Sequence, residues 1–382
     1  MEDVAVRPAV LRWAWNRLSA SRRQQLQSRF PKILDWLQGK SRPTWRQLES
    51  FARAAYVPFG YLLLEEPPAE VLPIAFFRTF EHRKPPPSVD LLEVVWIVQV
   101  RQEWMREYLQ EQGQPPLAFI GSARVNQDEC LVARRMRATL GLADDWSAAF
   151  ANWQAAFRQL QKCCEDLGIT VVISSIVGNN TRRQLQPQEF RGFVLIDAYA
   201  PVIFINAADA PAAQMFSLAH ELAHIWYGQR AAFDLAQLEP ARNTGEQACN
   251  RVAAEFLVPA EQLRRSWDSV KQHDNWLRLL ARKFKVSELV VARRALDLGL
   301  IDRQTFLRFY RSCLQRWTEK RRRQPTPAAY YATVSQRLGR RFLTLLFQAL
   351  DERKILYHEA YRLTGLLYGD SFERLRNVLR ET

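Results

Sequence analysis

The 382-residue sequence has few cysteines and no long apolar segment. Its five cysteines are odd in number and irregularly spaced, which does not suit a disulfide-stabilised secreted domain. The adjacent pair Cys163 and Cys164 argues against a CxxC metal knuckle. No apolar run reaches the roughly 18 residues of a membrane-spanning helix, and the first residues lack the basic-then-apolar pattern of a secretory signal. We therefore expect a cytoplasmic protein without a membrane partner.

Acidic residues are outnumbered, and the basic excess lies at the two ends of the chain. The net charge is +14; residues 1–64 contain 11 Lys and Arg against 4 Asp and Glu, and residues 301–382 contain 17 against 8. The middle is nearly neutral. Such ends indicate either terminal modules that bind DNA or an acidic partner, or a solvated basic surface that serves solubility.

Residues 1–66 are predicted to form several short helices, the third of which begins at Pro31. Two segments, W-x-x-G-K-x-x-P-T from Trp36 and L-x-x-F-A from Leu48, resemble the helix-turn-helix domain of the Xre and phage-repressor family. Between Phe30 and Trp36 the chain is about four residues shorter than that pattern, which removes side chains that would reach bases in the major groove. Specific DNA binding and a docking or dimerisation role therefore both remain open for this segment.

The predicted helices end at Gly168, and a run rich in β-branched residues follows. Strands are predicted at residues 169–177, 192–197 and 202–206. The last strand leads directly into a predicted helix over residues 210–227, with Asp209 as its N-cap and Gly228 as its stop. The predicted fold class is mainly α with a small mixed β-sheet, that is, α+β.

The predicted helix 210–227 contains the motif His-Glu-Leu-Ala-His at residues 220–224. His220 and His224 are four positions apart and share one helix face, so both imidazoles can bind one ion while Glu221 acts beside them as a base. This is the arrangement of a zinc-dependent hydrolase. The alternative is an apolar buried helix whose histidines are satisfied by hydrogen bonds in the core.

A catalytic zinc site needs a third protein ligand. Tyr227 and Arg230 stand where the longer HExxHxxGxxH motif would place its glycine and histidine, so a glutamate is the alternative. A second predicted helix, residues 245–259, contains Glu246 and Glu255. At 3.6 residues per turn these two point to roughly opposite faces, so only one can face the metal.

Glu246 is the favoured third ligand. It lies in line with the small residues Cys249, Asn250 and Ala253, which would allow close packing against the first helix. Glu255 is expected at the solvent or at a rim.

Three parts of this region together resemble the ImmA/IrrE family of zinc metallo-endopeptidases. They are the HELAH motif, the strands Gly-Phe-Val-Leu-Ile-Asp and Pro-Val-Ile-Phe-Ile-Asn before it, and the series Glu246, Asn250, Ala253, Ala254, Leu257 and Pro259 after it. The resemblance covers about residues 150–300, and an Xre-like N-terminus often accompanies it.

The resemblance implies a zincin-like metallopeptidase core that binds one Zn²⁺ per chain through His220, His224 and Glu246, with Glu221 as the catalytic base. It also implies a protein substrate, a transcriptional repressor or another regulator, cleaved in stress, mobile-element or toxin–antitoxin settings. A toxin partner belongs to the last of these settings.

Two further roles are predicted near the motif. Tyr227 is a candidate oxyanion stabiliser, with His273 and Arg191 as alternatives. Cys249 lies three residues from Glu246, so its thiolate could occupy the open zinc position and silence the enzyme; the alternative is a small buried cysteine that aids helix packing.

The predicted domain organisation has helix-turn-helix-like domains on both sides of the metallopeptidase core. A second such motif lies at residues 280–294, and in the resembling family a module of this kind abuts the protease core. The predicted segments are an Xre-like domain at 1–66, a helical connection at 67–148, the core at 149–262, a second helix-turn-helix-like module at 263–300 and a basic helical C-terminal domain at 301–382.

Two function classes follow. The first is a zinc endopeptidase that cleaves a specific cytosolic regulator. The second is a DNA-binding regulator or antitoxin whose zinc core is structural or serves partner recognition. An intact Glu221 favours the first, because a structural zinc site tends to fill its fourth position with a protein ligand.

Overall fold

The computed structural model describes residues 4–18, 20–68, 87–228, 232–233, 244–320, 330–366 and 369–380. It divides into two compact units, one with described residues 4–68 and 87–96, the other with those from 97 onward. The fold is mainly helical with a small mixed sheet, which confirms the predicted class. The finer division into segments stays a prediction. None of the described helices is both long enough and apolar enough to cross a membrane.

The first unit is an array of short helices. These are α1 (Pro8–Asn16), α2 (Ala20–Arg29), α3 (Ile33–Gln38), α4 (Trp45–Ala55) and a 3-10 helix at Phe59–Leu63. A capping box between Thr44 and Gln47 starts α4. The predicted start of the third helix at Pro31 is wrong, because Ile33 N donates to Phe30 O and places a turn before the helix.

The second unit contains the remaining helices and all described strands. Helix α5 (Val89–Glu111) begins in the first unit's residues and continues into the second. The other helices are α6 (Glu129–Thr139), α7 (Trp153–Asp166), α8 (Pro211–Tyr227), α9 (Thr244–Leu257), α10 (Ala260–Val270), α11 (Trp276–Phe284), α12 (Glu288–Asp297), α13 (Arg303–Lys320), α14 (Tyr330–Leu338), α15 (Arg340–Asp351), α16 (Tyr357–Thr364) and α17 (Gly369–Arg380), with a 3-10 helix at Trp146–Ala149.

The described strands form a mixed sheet and a separate hairpin. They are β1 (Thr170–Ser174), β2 (Ile176–Val177), β3 (Asn180–Gln184), β4 (Gly192–Leu195), β5 (Val202–Asn206) and β6 (Ala232–Phe233). The sheet order is β1-β5-β4-β6; β1 is parallel to β5, while β4 is antiparallel to β5 and β6. Strands β2 and β3 pair only with each other among the described residues.

The predicted single strand over residues 169–177 is wrong, because the chain breaks at Ser175 into β1 and β2 of different sheets. Ser174 causes the break. Its hydroxyl accepts from Ile176 N (3.1 Å) and donates to Ile176 O (2.8 Å). Such local bonds offer the backbone an alternative to the sheet ladder, which a count of β-branched residues does not reveal.

Alternation along the strands gives the sheet two apolar faces. Val194, Ile203 and Ile205 share a core with the apolar residues of α8. On the opposite face Phe193 and Phe204 stack, with ring centroids 5.0 Å apart. Helix α8 therefore packs on the sheet through side chains that are two positions apart, as the strand period requires.

Residues before α6 close the C-terminal end of α8. Gly121 N donates to Ile225 O (3.0 Å), and Ala123 N donates to Trp226 O (2.8 Å). Gly228 ends the helix at φ 66° as predicted, a conformation that favours glycine. The last carbonyls of a deeply buried helix thereby obtain partners.

Helices α11 and α12 occupy the residues of the predicted second helix-turn-helix-like motif, which stays a prediction. Lys285 adopts φ 55° between them, and the Ser287 hydroxyl accepts from Val290 N to cap α12. Leu280 and Val291 belong to the same core as α8 and α9. This motif is thus packed into the core of the second unit.

Glu255 is buried, which corrects the prediction that it lies at the solvent or a rim. Its carboxylate pairs with Arg294 of α12 and accepts from Ala260 N (3.2 Å). Arg294 of α12 reaches this face of α9, so a face that looked free on an isolated helix is occupied. A buried carboxylate persists here because it is paired and hydrogen-bonded.

A half-buried carboxylate, that of Glu165, joins α7 to the start of α15. Arg340 N donates to Glu165 Oε1 (3.3 Å), so Glu165 satisfies an N–H of the first turn of α15 that the N-cap residue Gly339 cannot. Burial raises the pKa of Glu165 to about 7, although Gln161 and Arg340 oppose the shift. The folded protein therefore binds this proton more tightly than the unfolded chain does.

We expect Glu165→Gln to stabilise the protein by about 1–2 kcal/mol at pH 8 and by much less at pH 4.5. A carboxyl group with a raised folded-state pKa imposes no penalty below its unfolded pKa. The penalty grows as the pH rises toward 7. Glutamine carries no charge at any pH, and its oxygen can still accept from Arg340 N. Urea unfolding of both proteins at the two pH values measures the difference; a pH-independent effect would contradict the prediction.

Candidate metal centre

The motif residues lie in the buried interior of the second unit. Pro211 occupies the first turn of α8, where a missing N–H costs nothing. Four positions separate His220 from His224, so the rings share one face, and neither residue nor Glu221 has any exposed surface. The residues of the predicted motif therefore form a buried polar cluster.

The predicted N-cap of this helix is wrong. Ala210 is the N-cap and provides no side-chain bond. The preceding Asp209 accepts from Ala210 N (2.7 Å) and lies 3.5 Å from Arg191 Nη1. Asp209 thus links the start of α8 to Arg191, the residue before β4. Pro211 marks the start of the helix in place of a side-chain cap.

Helix α9 places Glu246 opposite the two histidines. The Nε2 atoms of His220 and His224 are 3.0 Å apart. Glu246 Oε2 lies 3.2 Å from His220 Nε2, and Glu246 Oε1 lies 3.1 Å from His224 Nε2. Among the described residues, these three form the only group of His, Cys, Asp or Glu that could hold a metal ion.

The geometry of this group fits one small cation. A tetrahedral zinc ion with ligands at about 2.0–2.1 Å holds their donor atoms about 3.3 Å apart. The separations of 3.0 to 3.2 Å are close to that value. Imidazole nitrogen and carboxylate oxygen are also the donor types that zinc accepts.

Protonation in the folded protein favours metal binding. Burial lowers the pKa of His220 to about 4, although Glu246 partly opposes the shift, so the imidazole is neutral at physiological pH. Burial alone would raise the pKa of Glu246, but hydrogen bonds with His220 and His224 outweigh it and hold this pKa well below its usual value. A neutral imidazole and an ionised carboxylate are the forms that bind metals.

Glu221 provides a second indication that a cation belongs here. Both of its carboxylate oxygens are buried, and neither has a hydrogen-bond partner in the described part of the chain. Burial and then the charge of Glu246 raise the pKa of Glu221 well above its usual value. A buried carboxylate without a partner is costly, and a nearby cation would compensate it.

A family model described as the IrrE N-terminal-like domain, a peptidase family, matches residues 164–296. Residues 164–296 form an IrrE N-terminal-like domain. This confirms the resemblance to the ImmA/IrrE family, and the IrrE N-terminal-like domain contains all residues of the cluster and of helices α8 to α11. Its family suggests a metallopeptidase, and the buried cluster is a group that could bind the metal.

Other comparisons add little. No protein among the curated sequences matches significantly. A solved Mycobacterium tuberculosis transcriptional regulator is 18% identical over 51% of this chain, with a TM-score of 0.28. The chain spans about half (51%) of the length of that structure. At this score the likeness says nothing about the function of the chain.

The other predicted site residues of the IrrE N-terminal-like domain lie outside the group of His220, His224 and Glu246, which we call the metal group. Tyr227 is buried at the end of α8, where burial and then Cys249 raise the pKa of its hydroxyl to about 12. Arg191 is engaged by Asp209. His273 is exposed in the turn after α10.

Cys249 has no exposed surface and is not a member of the metal group. Burial, followed by the charges of Glu246 and Glu221, raises the pKa of its thiol well above the usual value. These observations favour the packing role over the thiolate switch.

We expect Cys249→Ala to leave the proteolytic rate within about twofold of wild type, because a small apolar residue can replace a buried thiol. Rates before and after mild oxidation, measured for both proteins, check this. A variant that is active where the wild type is silent would support the switch instead.

Sequence inspection missed Gly192, the first residue of β4. An ideal Cβ at this position would lie 3.2 Å from Glu221 Oε1. A glycine inside a strand often marks a close approach of another group, and that signal was available in the sequence.

Proposed function

We propose that the IrrE N-terminal-like domain is a zinc-dependent endopeptidase that cleaves a specific regulatory protein. The observation that carries the proposal is the convergence of His220, His224 and Glu246 beside the unpartnered carboxylate of Glu221. Three protein ligands leave one position of a tetrahedral ion open, as in catalytic zinc sites. The peptidase family of residues 164–296 supports the same reaction class.

Each residue has a distinct part in the proposed reaction. His220, His224 and Glu246 would hold the ion, which when bound supplies a Lewis acid for the scissile carbonyl and lowers the pKa of water to about 7. Glu221 would take a proton from the attacking water onto a carboxylate oxygen and return it to the leaving amine. Its high pKa in a buried site suits a group that must hold a proton between these events. Tyr227 stays a proposal for oxyanion stabilisation.

The proposed substrate is a repressor or an antitoxin-type regulator, which follows from the resemblance to the ImmA/IrrE family. Incubating the zinc-loaded protein with the regulator encoded next to it, followed by intact-mass analysis, tests this. We expect two complementary fragments from cleavage at one bond. An uncleaved regulator would contradict the proposed substrate, and cleavage that persists in a chelator would contradict the metal dependence.

DNA binding is the second candidate function, carried by the basic excess at residues 1–64 and 301–382. Helix α3 does not support base recognition. It has the sequence ILDWLQ without Lys or Arg, and Ile33, Trp36 and Leu37 are buried. A gel shift with the upstream promoter tests whether the protein binds DNA. A specific complex that weakens steeply with salt would favour DNA binding. The proposed toxin partner stays a prediction.

A further inference from the structure

Gly192 stands where a side chain would strike the proposed catalytic base. It is the first residue of β4 and pairs with Ile205 of β5 and with Phe233 of β6. An ideal Cβ would lie 3.2 Å from Glu221 Oε1, 2.9 Å from Phe204 O and 3.4 Å from Ile205 Cδ1. The absence of a side chain therefore opens the space that the carboxylate occupies.

No polar group of the described chain holds Glu221 in place. Both carboxylate oxygens lack hydrogen-bond partners in the described residues. The strand residues next to Gly192 on this sheet face, Val194 and Ile205, are apolar and fully buried. Among the described residues, the shape of the surrounding surface and not a hydrogen bond constrains where the carboxylate lies.

We propose that Gly192 is a positioning residue for Glu221. The inference rests on the proposed function. A methyl group at residue 192 would push the carboxylate away from the β4 backbone and change its distance to the attacking water. The carboxylate must then give way by a few tenths of an ångström. A displacement of about 1 Å can cost about a hundredfold in rate, so this smaller shift is expected to cost about tenfold.

A purely structural role for Gly192 makes a different prediction. The ideal Cβ also lies 2.9 Å from the Phe204 carbonyl oxygen, so an added methyl strains the pairing of β4 with β5. That strain would lower stability whatever residue occupies position 221. The contact with Glu221 would instead lower the rate of the chemical step, and a shorter side chain at 221 would relieve it.

A double-mutant cycle separates the two roles. Gly192→Ala is made in the wild type and in Glu221→Asp, and kcat, KM, zinc content and Tm are measured for all four proteins. We expect Gly192→Ala alone to lower kcat about tenfold with KM and one bound zinc unchanged. In the Glu221→Asp background the same change should lower kcat by less than about twofold, because the shorter side chain withdraws from the methyl.

Gly60→Ala is the matched control. No heavy atom lies within 4 Å of an ideal Cβ at Gly60, so a methyl group there should change neither kcat nor zinc content. An equal loss of kcat from Gly192→Ala in both backgrounds overturns the positioning role, as does a wild-type kcat in Gly192→Ala.

Stability provides a readout that does not need activity. We expect the drop in Tm caused by Gly192→Ala to be smaller in the Glu221→Asp background. An equal drop in both assigns the strain to Phe204 and overturns the proposal. If Gly192→Ala does not fold alone, recovery of folding in the double variant supports the proposal and failure of both overturns it. An inactive wild type with coupled Tm values would instead refute the proposed function, while the contact between residue 192 and Glu221 would stand.

Discussion

Glu221→Gln is expected to lower the rate of substrate cleavage by about 10³-fold or more while one zinc ion stays bound. The amide has nearly the shape of the carboxylate but cannot take a proton from water. The metal group contains His220, His224 and Glu246 but not Glu221, so the substitution leaves the ligands intact. Single-turnover cleavage and metal analysis of the same samples measure both effects. A variant that cleaves at the wild-type rate would exclude Glu221 as the base.

The same substitution should stabilise the metal-free protein. Glu221 has no exposed surface, and its oxygens lack hydrogen-bond partners in the described residues. Replacing a buried ionisable group by a neutral one of the same shape removes a desolvation penalty. The Tm of the metal-free variant is therefore expected to exceed that of the metal-free wild type. Active-site residues are often kept for function at the expense of stability, so one substitution can lower the cleavage rate and raise the Tm.

Removal of the metal is expected to abolish cleavage and to destabilise the fold. A ligand that binds only the folded state at a hundred times its Kd adds about 2.7 kcal/mol to the free energy of unfolding. Without the ion, the buried carboxylates of Glu221 and Glu246 also repel each other, as the pKa shift of Glu221 indicates. Thermal unfolding with zinc and with a chelator should therefore show a lower Tm in the chelator.

Two variants make the metal experiment specific. Glu246→Gln should lose the zinc-dependent gain in Tm, because the amide is a poorer ligand than the carboxylate. His358→Ala, which alters an exposed histidine of α16, should keep the whole gain. If Glu246→Gln bound zinc as tightly as the wild type, Glu246 would not be the third ligand.

Helices were predicted better than the ends of strands. The period of apolar residues gave the helices around residues 210–227 and 245–259, which became α8 and α9 with small changes at their ends. The run at 169–177 was divided because the Ser174 hydroxyl bonds to Ile176. Periodicity reports which residues are apolar, whereas such a local hydrogen bond depends on the backbone conformation itself.

Glu255 shows how tertiary contacts override a helix viewed alone. Helical period correctly placed Glu246 and Glu255 on different faces, so only one lies in the metal group. It could not reveal that α12 brings Arg294 to Glu255 on the other face. Because α9 has neighbours on both of these faces, Glu255 does not reach the solvent.

The sequence by itself determined which residues of α8 can act together, because the four-residue spacing of His220 and His224 puts them on one face of any helix. Only the tertiary structure brings Glu246, which the sequence favoured as third ligand, to the two histidines and shows that Gly192 faces Glu221. Helical spacing relates residues of one element, and it is a local property of the backbone. The approach of α9 and β4 to α8 depends instead on how the whole core packs, which no single segment specifies.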